Sequence, residues 1–288
     1  MNDTRVPIGT RVKMTLWILV HRVILTLWQI CHKVYKKGTR MEYGTLYGVG
    51  VGPGAPDLMT LRAVRILKSV QTIAIPRRSE FDPSVAWTIA QPNVGDVAGQ
   101  ERLFLNFPMT KDPTLLRPAW AIAFEKIGER LTEGKSVAFI TEGDPFVFST
   151  FIYLFNEAPR RWPGIKIEVA PAVSSITAVP AATMMPLADG QERIAILPAS
   201  YGTEDLVKIL GEFDTVLIMK PGSVMPQVVA ALEQTDLTDR AVYISKATTA
   251  QQKIVRDVRT LRNDKCDYFS MVIVSRKHRS GVLGLNKP

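Results

Sequence analysis

The chain has 288 residues, of which 46% are hydrophobic and 22% charged, as expected of a globular protein with a sizeable core in one large or two ordinary domains. Its formal net charge of +9 is uneven, because residues 1–40 carry eight basic residues and one acidic residue, which leaves +2 for residues 41–288. This nearly neutral remainder excludes nucleic-acid binding driven by the bulk charge of the globular part.

Cysteine and histidine are too few for several common kinds of active site. Cys31 and Cys266 form neither a metal-ligand pair nor a disulfide framework, and beyond residue 40 only Cys266 and His278 remain. A zinc site, a histidine-centred triad or a cysteine–histidine dyad is therefore disfavoured, and we expect no protein-bound metal. Two unpaired cysteines suit a reducing, cytoplasmic setting.

The first 40 residues form a basic extension. Between Met14 and Tyr35 polar residues recur within an apolar run, which predicts an amphipathic helix with a basic rim. His21 and Arg22 in mid-run argue against a transmembrane span, and no small-residue cleavage site follows, as a signal peptide would require. We expect residues 1–40 to take no part in the fold; a helix that contacts a membrane surface or a partner is the alternative.

The first core element is a strand, a glycine-rich turn and a helix within residues 45–67. β-Prone residues fill Leu46–Val51, as expected of a strand buried in a parallel sheet. Glycines then leave the turn bare, and Pro56 and Asp57 suit the first turn of a helix. A turn at the carboxyl end of the first strand is where open α/β sheets bind ligands. The glycines are Gly48, Gly50, Gly52 and Gly54.

Three interpretations of this turn remain open. Gly50, Gly52 and Ala55 fit the G-x-G-x-x-A dinucleotide fingerprint, but the next strand is followed by Arg77 rather than by an acidic residue. An arginine could hold a 2′-phosphate, yet Pro53 removes an amide donor from the turn. Alternatively, the turn meets a neutral or cationic ligand through carbonyl groups, or it only lets strand and helix pack closely.

Strands and helices alternate up to about residue 156, which predicts a parallel, doubly wound sheet. The strand Ser136–Ile140 runs into Thr141–Pro145. There Asp144 either caps the helix Phe146–Asn156 or lines, with Gly143, a ligand cleft facing the first turn. The other elements predicted here are strands at Val70–Ile75 and Arg102–Phe107 and helices at Pro83–Gln91 and Lys111–Glu133.

A predicted linker, Arg160–Gly164, precedes a second α/β set, so we expect two domains, residues 41–160 and 165–288. In the second domain Ser174 is by default a helix N-cap, and Ser174 and Ser175 could also bind a ligand from that helix start. Strands are predicted at Lys166–Ala170, Arg193–Leu197, Thr215–Met219, Ala241–Ser245, Lys253–Val258 and Phe269–Ser275, and helices at Ile176–Met184, Glu204–Leu210 and Pro226–Gln234.

Three segments carry sequence motifs that together resemble those of one protein family. Residues 48–60, 141–154 and 170–188 read GVGVGPGAPDLMT, TEGDPFVFSTFIYL and APAVSSITAVPAATMMPLA. Together they resemble the tetrapyrrole (corrin/porphyrin) methylase family over about residues 44–276. The second motif looks most like the branch that methylates C-20 of precorrin-2 or cobalt-factor II. Ala55 and Ala172 depart from the family pattern, in which Asp or Ser and Gly are usual, and residues 1–40 have no counterpart in it.

The resemblance implies a fold of two consecutive α/β domains with S-adenosylmethionine bound in the cleft between them, and a homodimer. The family pattern does not account for Lys220, which follows Met219 where a smaller residue is frequent. By motif match, the implied cofactor contacts are Pro53, Glu142, Gly143, Asp144, Val147, Ser174, Ser175, Met219 and Ala247.

The implied substrate is a reduced tetrapyrrole, either precorrin-2 or cobalt-factor II, so the metal-free and the cobalt routes to vitamin B12 both stay open. A sulfonium methyl is already an electrophile and an electron-rich meso carbon already a nucleophile, so holding them in line can supply about 7–11 kcal/mol of the barrier reduction. No catalytic residue is identified. Candidates for binding the substrate's carboxylates follow strands two and three: Arg77, Arg78, Lys111 and Arg117.

Other functions stay open beside this one. Methylation of uroporphyrinogen, precorrin-4, diphthine or ribosomal RNA uses the same scaffold, although the nearly neutral globular part argues against RNA. An NADP-binding oxidoreductase would follow from the dinucleotide fingerprint with Arg77. A membrane-recruited binding protein would act through residues 1–40.

Overall fold

Two five-stranded sheets organise the described part of the chain. The computed structural model describes residues 42–110 and 112–277, and from Tyr43 onward these belong to one compact unit. The strands are β1 Leu46–Gly50, β2 Thr72–Arg77, β3 Glu101–Asn106, β4 Val137–Thr141, β5 Ile167–Ala170, β6 Ile194–Pro198, β7 Thr215–Met219, β8 Ala241–Ser245, β9 Lys253–Val255 and β10 Ser270–Ser275. The helices are α1 Leu61–Ser69, α2 Val85–Val94, α3 Pro113–Thr132, α4 Phe151–Arg161, α5 Ser175–Thr183, α6 Thr203–Glu212 and α7 Met225–Gln234, with 3₁₀ turns at Pro56–Leu58, Pro221–Ser223, Thr238–Arg240 and Val258–Leu261.

The first sheet is parallel throughout, in the order β3-β2-β4-β1-β5. All five residues of its central strand β4 are buried, and Val49 of β1 pairs with Ile140 on one side and Ala170 on the other. Parallel strands bring all their carboxyl ends to one edge. The turns that follow β1, β4 and β5 are therefore neighbours, although about 90 residues separate β1 from β4 in the chain.

Helices cover both faces of this sheet, as the predicted doubly wound arrangement requires. α1 and α2 pack on the face that carries Val49 and Ile140, whereas α3 and α4 pack on the face that carries Leu46 and Phe139. β1 needs a glycine at position 48, because a Cβ there would lie 2.2 Å from the ring of Phe151 in α4. The predicted α/β class is confirmed.

The second sheet is mixed, in the order β6-β7-β10-β8-β9. β6 and β7 are parallel, and the pairs formed by β10 with β7, β10 with β8, and β8 with β9 are antiparallel. α6 and α7 pack on one face. Val179 of α5 packs on the other face, against Met219 and Met271.

The predicted helix Phe146–Asn156 is wrong at its start, since α4 begins at Phe151. The Asp144 carboxylate accepts from Phe146 N at 2.9 Å, and Val147 N donates to the Asp144 carbonyl at 3.2 Å, so a tight turn forms first. Phe148 then has a φ of +49°, which no α-helix accommodates. Asp144 therefore caps this turn and does not cap α4.

Other predicted boundaries also shift. The strand placed at the start of the second domain, β5, pairs with β1 in the first sheet. The segment predicted as a linker at Arg160–Gly164 begins inside α4, and the strand predicted over Lys253–Val258 stops at Val255 before a 3₁₀ turn. Division into two domains stays a prediction, and we propose that the boundary follows β5.

Residues 1–40, for which an amphipathic helix is predicted, lie outside the described residues. Within residues 42–110 and 112–277, no helix combines the length and the apolar character needed to cross a membrane.

Candidate functional site

The turns after β1 and β4 are joined by backbone hydrogen bonds. Val51 N donates to the Thr141 carbonyl at 3.0 Å, and Gly143 N donates to the Gly52 carbonyl at 2.8 Å. Gly52 and Gly143 both have positive φ, +88° and +66°, which a side chain would strain. The first and second of the three sequence motifs therefore lie side by side, joined by backbone hydrogen bonds.

The turn after β5 closes on the same point. A Cβ added to Gly50 would lie 2.5 Å from the Gly143 carbonyl oxygen and 2.6 Å from the Ala172 Cβ. Contacts under about 3 Å cannot be relieved by rotating a side chain when the neighbour is backbone or another Cβ. Gly50 is thus required by the close approach of three turns, and the third motif joins the other two.

Asp144 ties the β4 turn to the β5 turn. One of its carboxylate oxygens accepts from Phe146 N at 2.9 Å, and the other accepts from Ala172 N at 3.0 Å. Charge-assisted bonds of this kind are stronger than those between neutral groups. The side chain therefore holds the geometry of the site through two backbone amides.

A segment of the second sheet completes the arrangement. Ala247–Thr249 follows β8, and a Cβ added to Gly54 would lie 2.7 Å from the Ala247 carbonyl oxygen. Ala55 N donates to Thr248 Oγ1 at 3.0 Å. Thr248 has a φ of +67°, which is unusual for a β-branched residue. The glycine-rich turn of the first sheet therefore packs directly on a loop of the second.

Ser174 and Ser175 start α5, directly after the turn that contacts Asp144. Ser174 Oγ accepts from Ile176 N at 3.3 Å, so the predicted N-cap is confirmed. α5 reaches the second sheet, where Val179 packs in the same cluster as Met219 and Ala247. The helix that starts at Ser174 and Ser175 therefore connects the turn at Asp144 with the second sheet.

The remaining cofactor candidates, Pro53 and Val147, are partly buried within the β1 and β4 turns. Among the substrate candidates, Arg77 ends β2, where Nε donates to Asn106 Oδ1 at 2.8 Å and the guanidinium lies 4.8 Å from the ring centroid of Phe104. Arg78 and Arg117 are exposed. Lys111 lies outside the described residues.

Glu142 places a carboxylate between the two sheets. It follows β4 and is partly buried, and its side-chain carboxylate accepts no hydrogen bond from any residue in the described part of the chain. Burial raises its pKa from 4.5 to about 7, while the positive charge of Lys220, from the segment after β7, lowers it. Lys220 is held with a φ of +56° by donation from its backbone N–H to the Ser270 carbonyl at 2.9 Å.

Replacing this carboxyl by an amide should change stability in a pH-dependent way. The folded-state pKa of Glu142 lies above the unfolded value of 4.5, so its penalty is absent below pH 4.5 and grows as the pH rises to about 7. We expect Glu142→Gln to match the wild type at pH 4 and to raise the free energy of unfolding at pH 8 by at most about 3 kcal/mol. Urea unfolding at both pH values measures this. Glu125→Gln, on an exposed face of α3, is the control, and an equal gain at pH 4 would contradict the prediction.

Three residues of this region receive no functional role from the sequence. Thr248 lies in an ordinary polar segment, and its bond to Ala55 spans 193 residues. Lys220 stands out only as a charge directly after a buried strand, and its left-handed backbone cannot be read from residue type. Ala172, noted only as a departure from a motif, presents its amide to Asp144.

The sequence matches one protein family and several named relatives. The family described as "Tetrapyrrole (Corrin/Porphyrin) Methylases" matches residues 45–261. A probable cobalt-precorrin-2 C(20)-methyltransferase of Methanocaldococcus jannaschii is 36% identical over 236 residues, which cover 81% of this chain and 97% of that protein. A precorrin-2 C(20)-methyltransferase of a Sinorhizobium species is 26% identical over 242 residues, covering 80% and 95%.

A solved structure shows the same fold. The uroporphyrin-III C-methyltransferase of Thermus thermophilus, complexed with S-adenyl homocysteine, matches with a TM-score of 0.59 at 19% identity and covers 81% of this chain and 98% of that one.

Proposed function

The chain belongs to the tetrapyrrole (corrin/porphyrin) methylase family, and from that membership we propose that it transfers a methyl group from S-adenosylmethionine to C-20 of precorrin-2 or its cobalt-containing counterpart in cobalamin biosynthesis. The observation that carries the proposal is the 36% identity over 97% of a relative named for C-20 methylation. The shared fold of a uroporphyrin methyltransferase would by itself support only the broader class.

The described residues suit a sulfonium cofactor. A carboxylate without a hydrogen-bond partner among them, that of Glu142, faces the space between the sheets, and a cation complements it. A Cβ added to Gly143 would meet nothing within 4 Å, so the turn faces open space there. We propose that Pro53, Glu142, Gly143, Asp144, Val147, Ser174, Ser175, Met219 and Ala247 hold S-adenosylmethionine, without a protein-bound metal.

When bound, the cofactor supplies a methyl group that is already activated for transfer to carbon. The protein then needs mainly to position the two reactants. Effective molarities indicate that such positioning can lower the activation barrier by about 7–11 kcal/mol. Asp144 and Gly50 hold the turns after β1, β4 and β5 in contact with one another. Apolar clusters packed on the sheets support the elements that carry these turns. We assign no catalytic residue.

The substrate's carboxylates require cationic partners at the mouth of the cleft. Arg77 ends β2, Arg78 follows it, and Arg117 lies in α3 after β3, and we propose that these residues serve this purpose together with Lys111. Arg77 is the best positioned of them, since Asn106 and Phe104 hold its guanidinium in place and leave part of its donor set available.

Methyl transfer to defined substrates tests the proposal. The full chain is incubated with labelled S-adenosylmethionine and either precorrin-2 or cobalt-factor II, and mass and carbon-13 spectra locate the added methyl. We expect one methyl at C-20 and a preference that decides between the metal-free and cobalt routes. Methylation of uroporphyrinogen III or precorrin-4 instead would assign the chain to another activity of the family.

A binding experiment addresses the oxidoreductase alternative. Calorimetric titration with S-adenosylhomocysteine and with NADP should show binding of the first alone. Binding of NADP alone would overturn the proposed function. We do not expect it, because Pro53 removes an amide donor from the turn and β2 ends on Arg77 rather than on an acidic residue.

We also propose a homodimer. Aromatic side chains of the β4–α4 segment form an exposed patch: Phe146 and Phe148 are each 47% exposed, Tyr153 is 61% exposed and Phe155 is 37% exposed. The rings of Phe146 and Phe155 lie 5.1 Å apart, so these two members of the patch are in contact. Apolar patches of this kind mark contact surfaces in soluble proteins.

A charge placed in this patch should dissociate the dimer. We expect the wild type to sediment at twice the chain mass and Tyr153→Glu to shift toward the monomer, because a buried unpaired carboxylate opposes association. Phe81→Glu is the matched control, since Phe81 is 89% exposed and lies outside the patch. A Tyr153→Glu variant that remains dimeric would place the interface elsewhere.

For residues 1–40 we propose no part in catalysis, and for the protein a cytoplasmic location without membrane contact. A variant lacking these residues should retain methyltransferase activity. Loss of all activity on this deletion would favour recruitment through the N-terminal segment.

A further inference from the structure

The environment of Glu142 differs from that of every other carboxylate at the meeting of the turns. Asp144, two residues along, has both oxygens engaged by backbone amides. The Glu142 carboxylate accepts from no donor among the described residues, although the residue is partly buried. A partly desolvated carboxylate without protein donors is costly to keep ionised, so a positive charge beside it would stabilise the ionised form.

The charged groups near Glu142 supply only part of the positive charge that would stabilise its carboxylate. Lys220 acts on it from the segment after β7, but its ammonium lies 5.2 Å from the ring centroid of Tyr268, where the aromatic face attracts it. Arg77, at the end of β2, is engaged with Asn106. Among the described residues no cation forms an ion pair with Glu142 within 4 Å.

We propose that the Glu142 carboxylate is the counter-charge of the sulfonium and that it makes the site distinguish the cationic methyl donor from the neutral thioether product. The inference rests on the proposed function and adds a specificity-determining residue to it. Donor and product share the adenosine and amino-acid parts and differ in one methyl group and one positive charge. A carboxylate facing the sulfur therefore attracts the donor alone, and product release follows from the loss of that charge.

This role predicts a pH dependence with a definite sign. Burial raises the pKa of Glu142 to about 7, so near neutral pH the carboxyl is partly protonated before the ligand binds. A bound cation favours the carboxylate, so donor affinity should rise as the pH increases through 7 and then level off, while product affinity should not. The α-amino group is common to both ligands, so its titration cancels in the ratio of their affinities.

Calorimetric titration of the full chain tests the proposal at pH 6, 7 and 8. The ligands are S-adenosylmethionine, S-adenosylhomocysteine and sinefungin, whose amine replaces the sulfonium. For the wild type we expect the ratio of cation to thioether affinity to rise about tenfold from pH 6 to pH 8. The reason is that the ionised fraction of the Glu142 carboxyl before binding rises about tenfold across its pKa of about 7. In Glu142→Gln the ratio should lose its pH dependence, with S-adenosylhomocysteine affinity unchanged within about threefold.

Two further variants sharpen the test. Lys220→Gln should move the rise of the ratio to higher pH, because the charge of Lys220 lowers the pKa of Glu142. Glu125→Gln removes an exposed carboxylate on α3 and should behave as the wild type.

Failure of the proposed function and failure of the role proposed for Glu142 give different results. A wild type that binds no S-adenosylhomocysteine would overturn the proposed function and this inference with it. Binding of S-adenosylhomocysteine with a donor preference that Glu142→Gln leaves intact would overturn this inference alone.

Discussion

A Gly50→Ala variant should lose about 100-fold or more in methyltransferase activity, the loss expected when reacting groups are misplaced by about an ångström. The added Cβ would lie 2.5 Å from the Gly143 carbonyl oxygen and 2.6 Å from the Ala172 Cβ. Neither neighbour can rotate away, so the three turns must separate. We also expect the free energy of unfolding to fall by about 1–3 kcal/mol, as for other overpacked sites.

The measurements are single-turnover methyl transfer, S-adenosylhomocysteine titration and urea unfolding. Gly211→Ala is the matched control, because Gly211 lies in α6 and a Cβ there would meet nothing within 4 Å. That substitution should leave activity unchanged and add up to about 1 kcal/mol of helix stability. If Gly50→Ala retains wild-type affinity and activity, the close meeting of the turns is not what shapes the site.

Asp144→Ala should weaken S-adenosylhomocysteine binding about tenfold or more and lower the free energy of unfolding by about 3 kcal/mol, since bonds to a charged acceptor contribute about 1.5–3 kcal/mol each. The substitution leaves Phe146 N and Ala172 N without their acceptor and frees the β4 turn from the β5 turn. The chain should still fold, because none of the four apolar clusters includes Asp144.

Calorimetry and urea unfolding at pH 7 measure both effects, and Asp144→Asn should fall between the alanine variant and the wild type. Asp112→Ala is the control, because Asp112 also accepts from a backbone amide, that of Thr114 at 2.8 Å, but at the start of α3. It should lower stability only as the loss of an exposed helix cap does and leave ligand binding unchanged. An Asp144→Ala chain that is unfolded would mean that Asp144 acts chiefly on the fold.

Local patterns predicted most of the elements because their causes are local. The β-branched and aliphatic runs Thr215–Met219 and Ala241–Ser245 are strands with the predicted limits. The start of α4 differs from the prediction because Asp144 forms a turn that is tied to the β5 turn through Ala172 N, a contact between residues far apart in the chain. The strand predicted at the start of the second domain, β5, pairs with β1 of the first sheet, because the sequence of a buried strand does not specify its partner.

The sequence by itself determined the α/β class, the glycine-rich and acidic turns at strand ends, and the family, because strand burial, helix periodicity and turn chemistry act within a few residues. Only the tertiary structure decided that Gly50, Asp144 and Ala172 meet at one point and that Thr248 closes on Ala55. It also decided that the charge of Lys220 acts on the Glu142 carboxylate, although the two residues lie far apart in the chain. The physical reason is that strand order and the packing of one sheet against another arise from contacts between residues far apart in the chain, which no local pattern encodes.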